Sequence, residues 1–318
     1  KFFAPGGNKL GDAVQDRIHA RFEQLLGESR SAVTSDVTDA HSVAAEAHVA
    51  RVVASLQGRR LDGLRVVVDA AVTLIHAAPD GININNDCGS THLDSLQTAV
   101  IESGADLGVA FDGDADRMLA VDATGGFVDG DQIIAMCALD AKARGMLAED
   151  AVVITVMTNL GFRRSMDAAG IEIVDTKVGD RYVLEALDAR QLSLGGEQSG
   201  HVIFRELAST GDGLLTAVQL LDVVARSGRS LEELATESMT RLPQVLKNVK
   251  VAERPADINA PLAPFIDASL ARMAGRGRVL IRPSGTEPLI RVMVEADTDA
   301  EAQMEADGLA SAVESLFG

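Results

Sequence analysis

The chain has 318 residues, 47% of them apolar and 24% charged, a soluble globular composition with material for about two to three domains. Its net charge of −18 repels nucleic acid and anionic lipid, and no apolar run approaches the ~18 residues of a membrane span. With no Trp, one Tyr and two separated cysteines, Cys88 and Cys137, it lacks base-stacking platforms, a disulfide framework and a zinc site, and the compartment reads as reducing cytoplasm.

The opening Lys-Phe-Phe-Ala-Pro-Gly-Gly has no signal-peptide character. Leu10, Val14, Ile18, Phe22, Leu25 and Leu26 recur at helical spacing, as do Val49, Val52, Val53 and Leu56, so two amphipathic helices are expected. Short β-branched runs follow at Leu64 to Val68, Val72 to Ile75, Asp106 to Phe111, Met118 to Val121, Val152 to Val156 and Ile171 to Val174. Helical stretches at Leu93 to Ser103 and Gln132 to Arg144 alternate with them, which predicts α/β units with a mainly parallel sheet. The first two runs join without a turn, and a parallel crossover needs about a dozen residues, so residues are expected to be missing near Ala71. After Arg241 the pattern changes to a strand at Val245 to Val251, a loop from Arg254 to Pro261, a helix at Leu262 to Met273, a hairpin from Arg278 to Glu295 and a helix from Ala300 to Leu316. That order suits a separate α+β domain.

The sharpest chemical signal is Asp112-Gly-Asp-Ala-Asp-Arg117 between two apolar strands. Three carboxylates at alternate positions raise each other's pKa unless a cation sits among them, and all-oxygen donors select Mg²⁺ or Ca²⁺ over zinc. Arg117 and Ala123 stand where an EF-hand needs Gly and Glu. A solvated acidic turn would carry the same letters, but the carboxyl end of a buried strand is where α/β folds place ligands.

Three further loops could bind or transfer. Gly195-Gly-Glu-Gln-Ser-Gly-His201 offers Glu197, Ser199 and His201, a set suited to sugar hydroxyls and proton transfer, although taken alone its default reading is a plain turn with a satisfied surface His. Arg282-Pro-Ser-Gly-Thr-Glu-Pro288, with Arg291 beyond it, gathers donors around a tight turn and suits a phosphate; an ordinary hairpin turn is the alternative. Lys177-Val-Gly-Asp-Arg-Tyr-Val183 could meet an anion at a helix N-terminus through Lys177 and Arg181, or Asp180 could be only a cap. Thr210-Gly-Asp-Gly213 reads most simply as a Gly-rich capping turn for a long helix.

Asp-Gly-Asp-Ala-Asp-Arg, Lys-Val-Gly-Asp-Arg-Tyr, Gly-Glu-Gln-Ser-Gly-His and Arg-Pro-Ser-Gly-Thr-Glu-Pro, in this order, resemble the motifs of the α-D-phosphohexomutase family, and the likeness covers essentially the whole chain. Pro79-Asp-Gly-Ile-Asn-Ile-Asn and Cys88-Gly-Ser-Thr are similar to its bacterial members that act on amino-sugar phosphates. The expected fold class is α/β, multi-domain, with mixed or parallel sheets flanked by helices plus a smaller C-terminal α+β domain. The expected division is residues 1–27 as the remnant of a first domain, 28–128 for the metal, 129–241 for the sugar and 242–318 for the phosphate.

The resemblance implies transfer of a phosphoryl group between the 1- and 6-positions of an amino-sugar phosphate through a phosphoserine and a bisphosphorylated hexosamine or hexose. It implies one Mg²⁺ per active site on Asp112, Asp114 and Asp116, with Arg117 beside the ion and the transferred group. Glu197 and Ser199 would contact the sugar, Lys177 and Arg181 would hold substrate, and Arg282, Ser284, Gly285, Thr286 and Arg291 would bind phosphate. Lys1 and His201 are the two candidates for the proton shuttle. The implied partners are the small-molecule substrate, with no nucleic acid and no membrane; a homodimer is compatible with the reading. The family's phosphorylated serine lies in a Ser-His-Asn-Pro loop that these residues do not contain. Lys-Phe-Phe is similar to the segment just after it, so the loop is expected upstream of Lys1. Three alternatives stay open: a phosphomannomutase or phosphoglucomutase, a sugar-phosphate-binding module without the serine, and an aspartyl-phosphate phosphatase using Asp112 as nucleophile.

Overall fold

The computed structural model describes residues 10, 12–26, 41–69, 75, 87–252, 255, 257–284 and 287–318. The expected strand at Val72 to Ile75 and the junction near Ala71 lie outside them, apart from Ile75, which bridges Asp69 in parallel. Lys1, Gly285 and Thr286 also lie outside. The chain forms two compact units, Lys1–Val156 with Ile171–Ala235, and Met157–Gly170 with Thr236–Gly318.

The first unit begins with helices α1 (Asp12–Leu26) and α2 (His41–Ser55). Both form at the expected positions, yet Ile18, Phe22, Val49 and Val53 of their apolar faces are exposed. A four-stranded sheet follows from β1 (Val66–Asp69), α3 (Asp94–Ser103), β2 (Leu107–Phe111), β3 (Met118–Asp122) and β4 (Phe127–Val128), in spatial order β1-β2-β3-β4. Only β1 and β2 pair in parallel; β2–β3 and β3–β4 are antiparallel. Every residue of β2 and β3 is buried, which is why both read as unbroken apolar runs. Leu96 and Val100 of α3 pack on Val67, Ala110 and Val121, each buried aliphatic stabilising by roughly 1.5–3 kcal/mol. Gly108 permits that approach, because a Cβ there would meet Val100 Cγ2 at 2.6 Å.

Helix α4 (Gly130–Ala143) starts at a capping box in which the Asp129 carboxylate accepts from the Gln132 N–H. The second sheet comes from β5 (Ala151–Thr155), then, after α5 (Leu160–Ala168) of the second unit, β6 (Glu172–Thr176), α6 (Asp180–Arg190), β7 (Leu194–Gly196) and β8 (Val202–Phe204). Its order is β6-β5-β7-β8, parallel except for β7–β8. Both sheets are therefore mixed, the first mainly antiparallel and the second mainly parallel. Val183 and Leu187 of α6 cover Val153 and Ile203. Helix α7 (Gly213–Ser227) is capped by the Asp212 carboxylate, and α8 (Leu231–Ser238) follows.

In the second unit, β9 (Gln244–Lys250), α9 (Asn259–Met273), β10 (Arg278–Pro283), β11 (Leu289–Glu295) and α10 (Asp299–Phe317) form the expected α+β arrangement. The sheet is antiparallel with β11 central. Leu262 and Met273 of α9 and Ala306, Leu309 and Val313 of α10 pack on Ile290, Val292 and Val294. Helix α9 takes in Asn259 to Pro261 from the expected loop, since Pro is tolerated in a first turn whose N–H groups lack intrahelical partners. No helix of the described residues is long and apolar enough to cross a membrane.

Candidate active site

Residues 112–117 connect Phe111 to Met118, which face each other in the antiparallel β2–β3 pair. Ala115 sits in the left-handed region (φ +54°), and its N–H donates to the Asp112 carbonyl at 3.0 Å. This tight turn brings carboxylate oxygens of Asp112, Asp114 and Asp116 within 4.8 Å of one another. The Arg117 N–H donates to Asp112 Oδ1 at 3.1 Å, and its Nε lies 3.8 Å from both Asp112 and Asp116. Burial, then repulsion by Asp116 and Asp114, holds the Asp112 carboxyl above the usual carboxylate range despite the opposing Arg117. Three converging oxygen donors that repel one another fit a hard divalent cation.

The Glu197 to His201 turn lies against this loop within the same unit. The Met118 N–H donates to the Gly200 carbonyl at 3.1 Å, and the Gly130 N–H to the Gln198 carbonyl at 3.0 Å. Glu197 Oε1 accepts from the Gly179 N–H at 3.0 Å, which brings in Lys177 before the cap and Arg181 in the first turn of α6. Gly179, at φ +132°, is the cap of α6, and Asp180 is the first helical residue rather than the cap. Lys177 Nζ and Arg181 Cζ lie 5.9 and 5.8 Å from the Tyr182 ring centroid, and Arg181 Nε donates to Glu185 at 2.7 Å. The Ser199 hydroxyl is buried without a hydrogen-bond partner, a cost of about 1–3 kcal/mol unless a ligand answers it.

His201 is 1% exposed, not a surface side chain. Its Nδ1 is 3.5 Å from Asp116 and its Nε2 3.8 Å from Asp180, so the three residues form a second cluster sharing Asp116 with the first. The Thr210 to Gly213 turn, read from sequence as a cap, also reaches this centre: the Gly211 N–H donates to His201 Nε2 at 3.1 Å and the Gly213 N–H to the Ala115 carbonyl at 2.9 Å. Local spacing carries no signal for these contacts.

In the second unit, Arg282 and Arg291 are direct cross-strand partners on β10 and β11. Ser284 is buried; its N–H donates to the Leu289 carbonyl at 2.9 Å and its hydroxyl accepts from the Glu287 N–H at 3.3 Å.

Family models for phosphoglucomutase/phosphomannomutase match this chain with α/β/α domain II at residues 64–126, α/β/α domain III at 129–242 and the C-terminal domain at 246–312. The chain belongs to the phosphoglucomutase/phosphomannomutase family. It is 52% identical to phosphoglucosamine mutase of Frankia casuarinae, over 98% of this chain and 72% of the relative. It is 49% identical to phosphoglucosamine mutase of Streptomyces griseus, over 100% of this chain and 75% of the relative. Among solved structures, a phosphoglucomutase/phosphomannomutase family protein from Burkholderia thailandensis matches with a TM-score of 0.72 at 22% identity, over 97% of this chain and 71% of that one. Aspergillus fumigatus N-acetylphosphoglucosamine mutase, in complex with GlcNAc-6P and magnesium, matches with a TM-score of 0.63 at 24% identity, over 86% of this chain and 64% of that one. At these identities the structural matches establish the fold alone.

Proposed function

We propose that the chain works as a phosphoglucosamine mutase, interconverting glucosamine 6-phosphate and glucosamine 1-phosphate through a phosphoserine and a bisphosphorylated sugar. One observation carries the reading: the carboxylate loop, the Glu197 to His201 turn and the Lys177 loop are bound together in one unit by the Met118–Gly200 and Gly179–Glu197 hydrogen bonds. The substrate choice is supported by relatives of about half-identical sequence that carry that name.

Mg²⁺ held by Asp112, Asp114 and Asp116, one ion per site, would neutralise charge on a transferring phosphoryl group. Arg117, close to two of those carboxylates, is assigned to the phosphoryl oxygens. Glu197 and the unpartnered Ser199 hydroxyl take sugar hydroxyls, and Lys177 and Arg181 hold the substrate. Arg282, Ser284 and Arg291, with Gly285 and Thr286, bind the phosphate that is not reacting. In the first transfer the bond from phosphorus to the serine oxygen breaks, a bond from phosphorus to the sugar oxygen forms, and the proton of the sugar hydroxyl ends, net, on the departing serine oxygen. The bisphosphate then presents its other phosphate, and the serine is phosphorylated again.

The reading also takes the divisions at residues 128 and 241 as domain boundaries, a cytoplasmic setting, a bisphosphorylated hexosamine or hexose as activator and a homodimeric assembly. Its test compares turnover of glucosamine, glucose and mannose 6-phosphates with Mg²⁺ by the encoded full-length polypeptide. Preferred glucosamine turnover supports it. Preferred glucose or mannose turnover would make the chain a phosphoglucomutase or phosphomannomutase, and binding without turnover a sugar-phosphate-binding protein.

A further inference from the structure

We propose that the cavity between the C-terminal halves of α4 and α7, the end of α2 and the β7–β8 pair is a second ligand site, for a small organic carboxylate with an apolar body about the size of one ring. None of the residues assigned to the metal or to the sugar phosphate lines it.

The cavity measures about 130 Å³ and lies wholly in the first unit. An apolar cavity of about 150 Å³ takes up benzene, so the space suits a six-membered ring. Part of its lining is apolar: Leu194 on β7, its cross-strand partner Phe204 on β8, Leu207, Val223 of α7 and Cys137 of α4. Burial pushes the Cys137 thiol pKa up to about 12, so at neutral pH the thiol is an uncharged part of that wall. Where α2 meets α7, the Gln219 amide donates to the Ser55 hydroxyl at 2.8 Å, which fixes the edge of the cavity.

The polar part of the lining is a chain of charged side chains. Arg59 Nε donates to one oxygen of Asp222 at 2.7 Å and Arg226 Nε to the other at 2.9 Å. Arg226 also grips Asp140 through Nη1 and Nη2 at 2.8 and 2.7 Å, and Arg144 Nη1 reaches the same carboxylate at 3.3 Å. Both carboxylates are thus used on both oxygens, while three guanidinium groups share two negative charges. Arg144, at the end of the chain, keeps part of its N–H fork for a further acceptor. Glu206 also lines the cavity but is exposed, so solvent screens its charge. One carboxylate answers the surplus charge and matches the planar fork, whereas a phosphate dianion would overshoot it. The catalytic loops stand at the opposite ends of the same helices, since the Gly130 N–H that opens α4 donates to the Gln198 carbonyl and the Gly213 N–H that opens α7 to the Ala115 carbonyl. Cys137 and Arg226 lie roughly 10 and 20 Å further along those helices. A ligand in the cavity and a sugar phosphate can therefore be bound together.

The test is a ligand-observed NMR titration of the full-length polypeptide with benzoate, beside benzyl alcohol, which has the ring without the charge, and acetate, which has the charge without the ring. Benzoate is expected to bind with a Kd on the order of 1 mM, as a ligand of so few atoms allows, and the other two about 10-fold more weakly or less. Saturating glucosamine 6-phosphate or inorganic phosphate is expected to leave the benzoate affinity unchanged. Arg144→Gln should weaken benzoate about 10-fold and leave benzyl alcohol as it was. Ala141→Phe, which fills the cavity from α4, should abolish benzoate binding; if that variant does not fold, Arg144→Gln, at a side chain 30% exposed, decides the matter. No benzoate binding, equal binding of benzyl alcohol, displacement by inorganic phosphate or wild-type affinity in Arg144→Gln would each overturn the proposal. The mutase reading is judged separately, by turnover of the sugar phosphates.

Discussion

Arg282 on β10 and Arg291 on β11 stand directly opposite each other, an arrangement that costs free energy because like charges face across the strands. Burial and then Arg291 lower the Arg282 pKa, and Arg291 Nε is buried without a hydrogen-bond partner. Among the described residues no carboxylate pairs with either guanidinium. A bound anion resolves all three features at once.

The Arg282→Ala variant is therefore expected to raise KM for the sugar phosphate by about 10- to 100-fold while kcat changes by less than about 3-fold, since a grip on the non-reacting phosphate is largely uniform binding. Inorganic phosphate should raise the Tm of the wild type more than that of the variant. Steady-state kinetics and thermal melts check both. A lower kcat at constant KM would place Arg282 in the chemical step instead.

Asp114 is the exposed member of its triad, so its side chain can be removed with little effect on packing. Asp114→Ala is expected to keep the wild-type circular dichroism spectrum and to lose about 100- to 1,000-fold in divalent-dependent turnover, the scale on which preorganised charge stabilisation acts. Full activity in that variant would remove the metal from the mechanism.

The carboxylate loop was legible because β2 and β3 are wholly buried, which left Asp112 to Arg117 as a polar island between apolar runs. The same loop also held the correction to the sheet: six residues between Phe111 and Met118 cannot carry a parallel crossover, and the pair is antiparallel. The short elements β4 and α8 were missed because two and eight residues give little periodicity. Ile18 and Phe22 show a different limit, since helical spacing tells which face is apolar but not what covers it. At Gly211, the Asp212 cap next door explained the local letters, while the imidazole that requires the glycine lies ten residues away in sequence.

Ser199 makes an independent test of the sugar contact. Its buried hydroxyl lacks a partner in the free chain, so Ser199→Ala should leave Tm unchanged or slightly raised. Loss of a hydrogen bond to substrate should lower kcat/KM by about 10-fold, equivalent to about 1.4 kcal/mol. A destabilised variant with wild-type kinetics would make the hydroxyl structural.

Glu305 on α10 tests how the second unit is held. It is 2% exposed, and its oxygens accept from Nε and Nη2 of Arg272 on α9 at 2.7 and 2.6 Å. The bonds from Arg272 outweigh burial and hold the carboxyl below the usual glutamate range. A carboxylate whose folded pKa is depressed contributes stability that is present above its unfolded value, about 4.3, and is lost as pH falls through the folded value. Glu305→Gln should therefore cost about 1–2 kcal/mol at pH 7, discounted for the exposed guanidinium. The difference from wild type should shrink below about pH 4, where the native side chain is itself being neutralised. Urea midpoints of both proteins between neutral and acid pH measure it. A gap that stays constant across that range would mean that shape at this position, rather than the ion pair, joins α9 to α10.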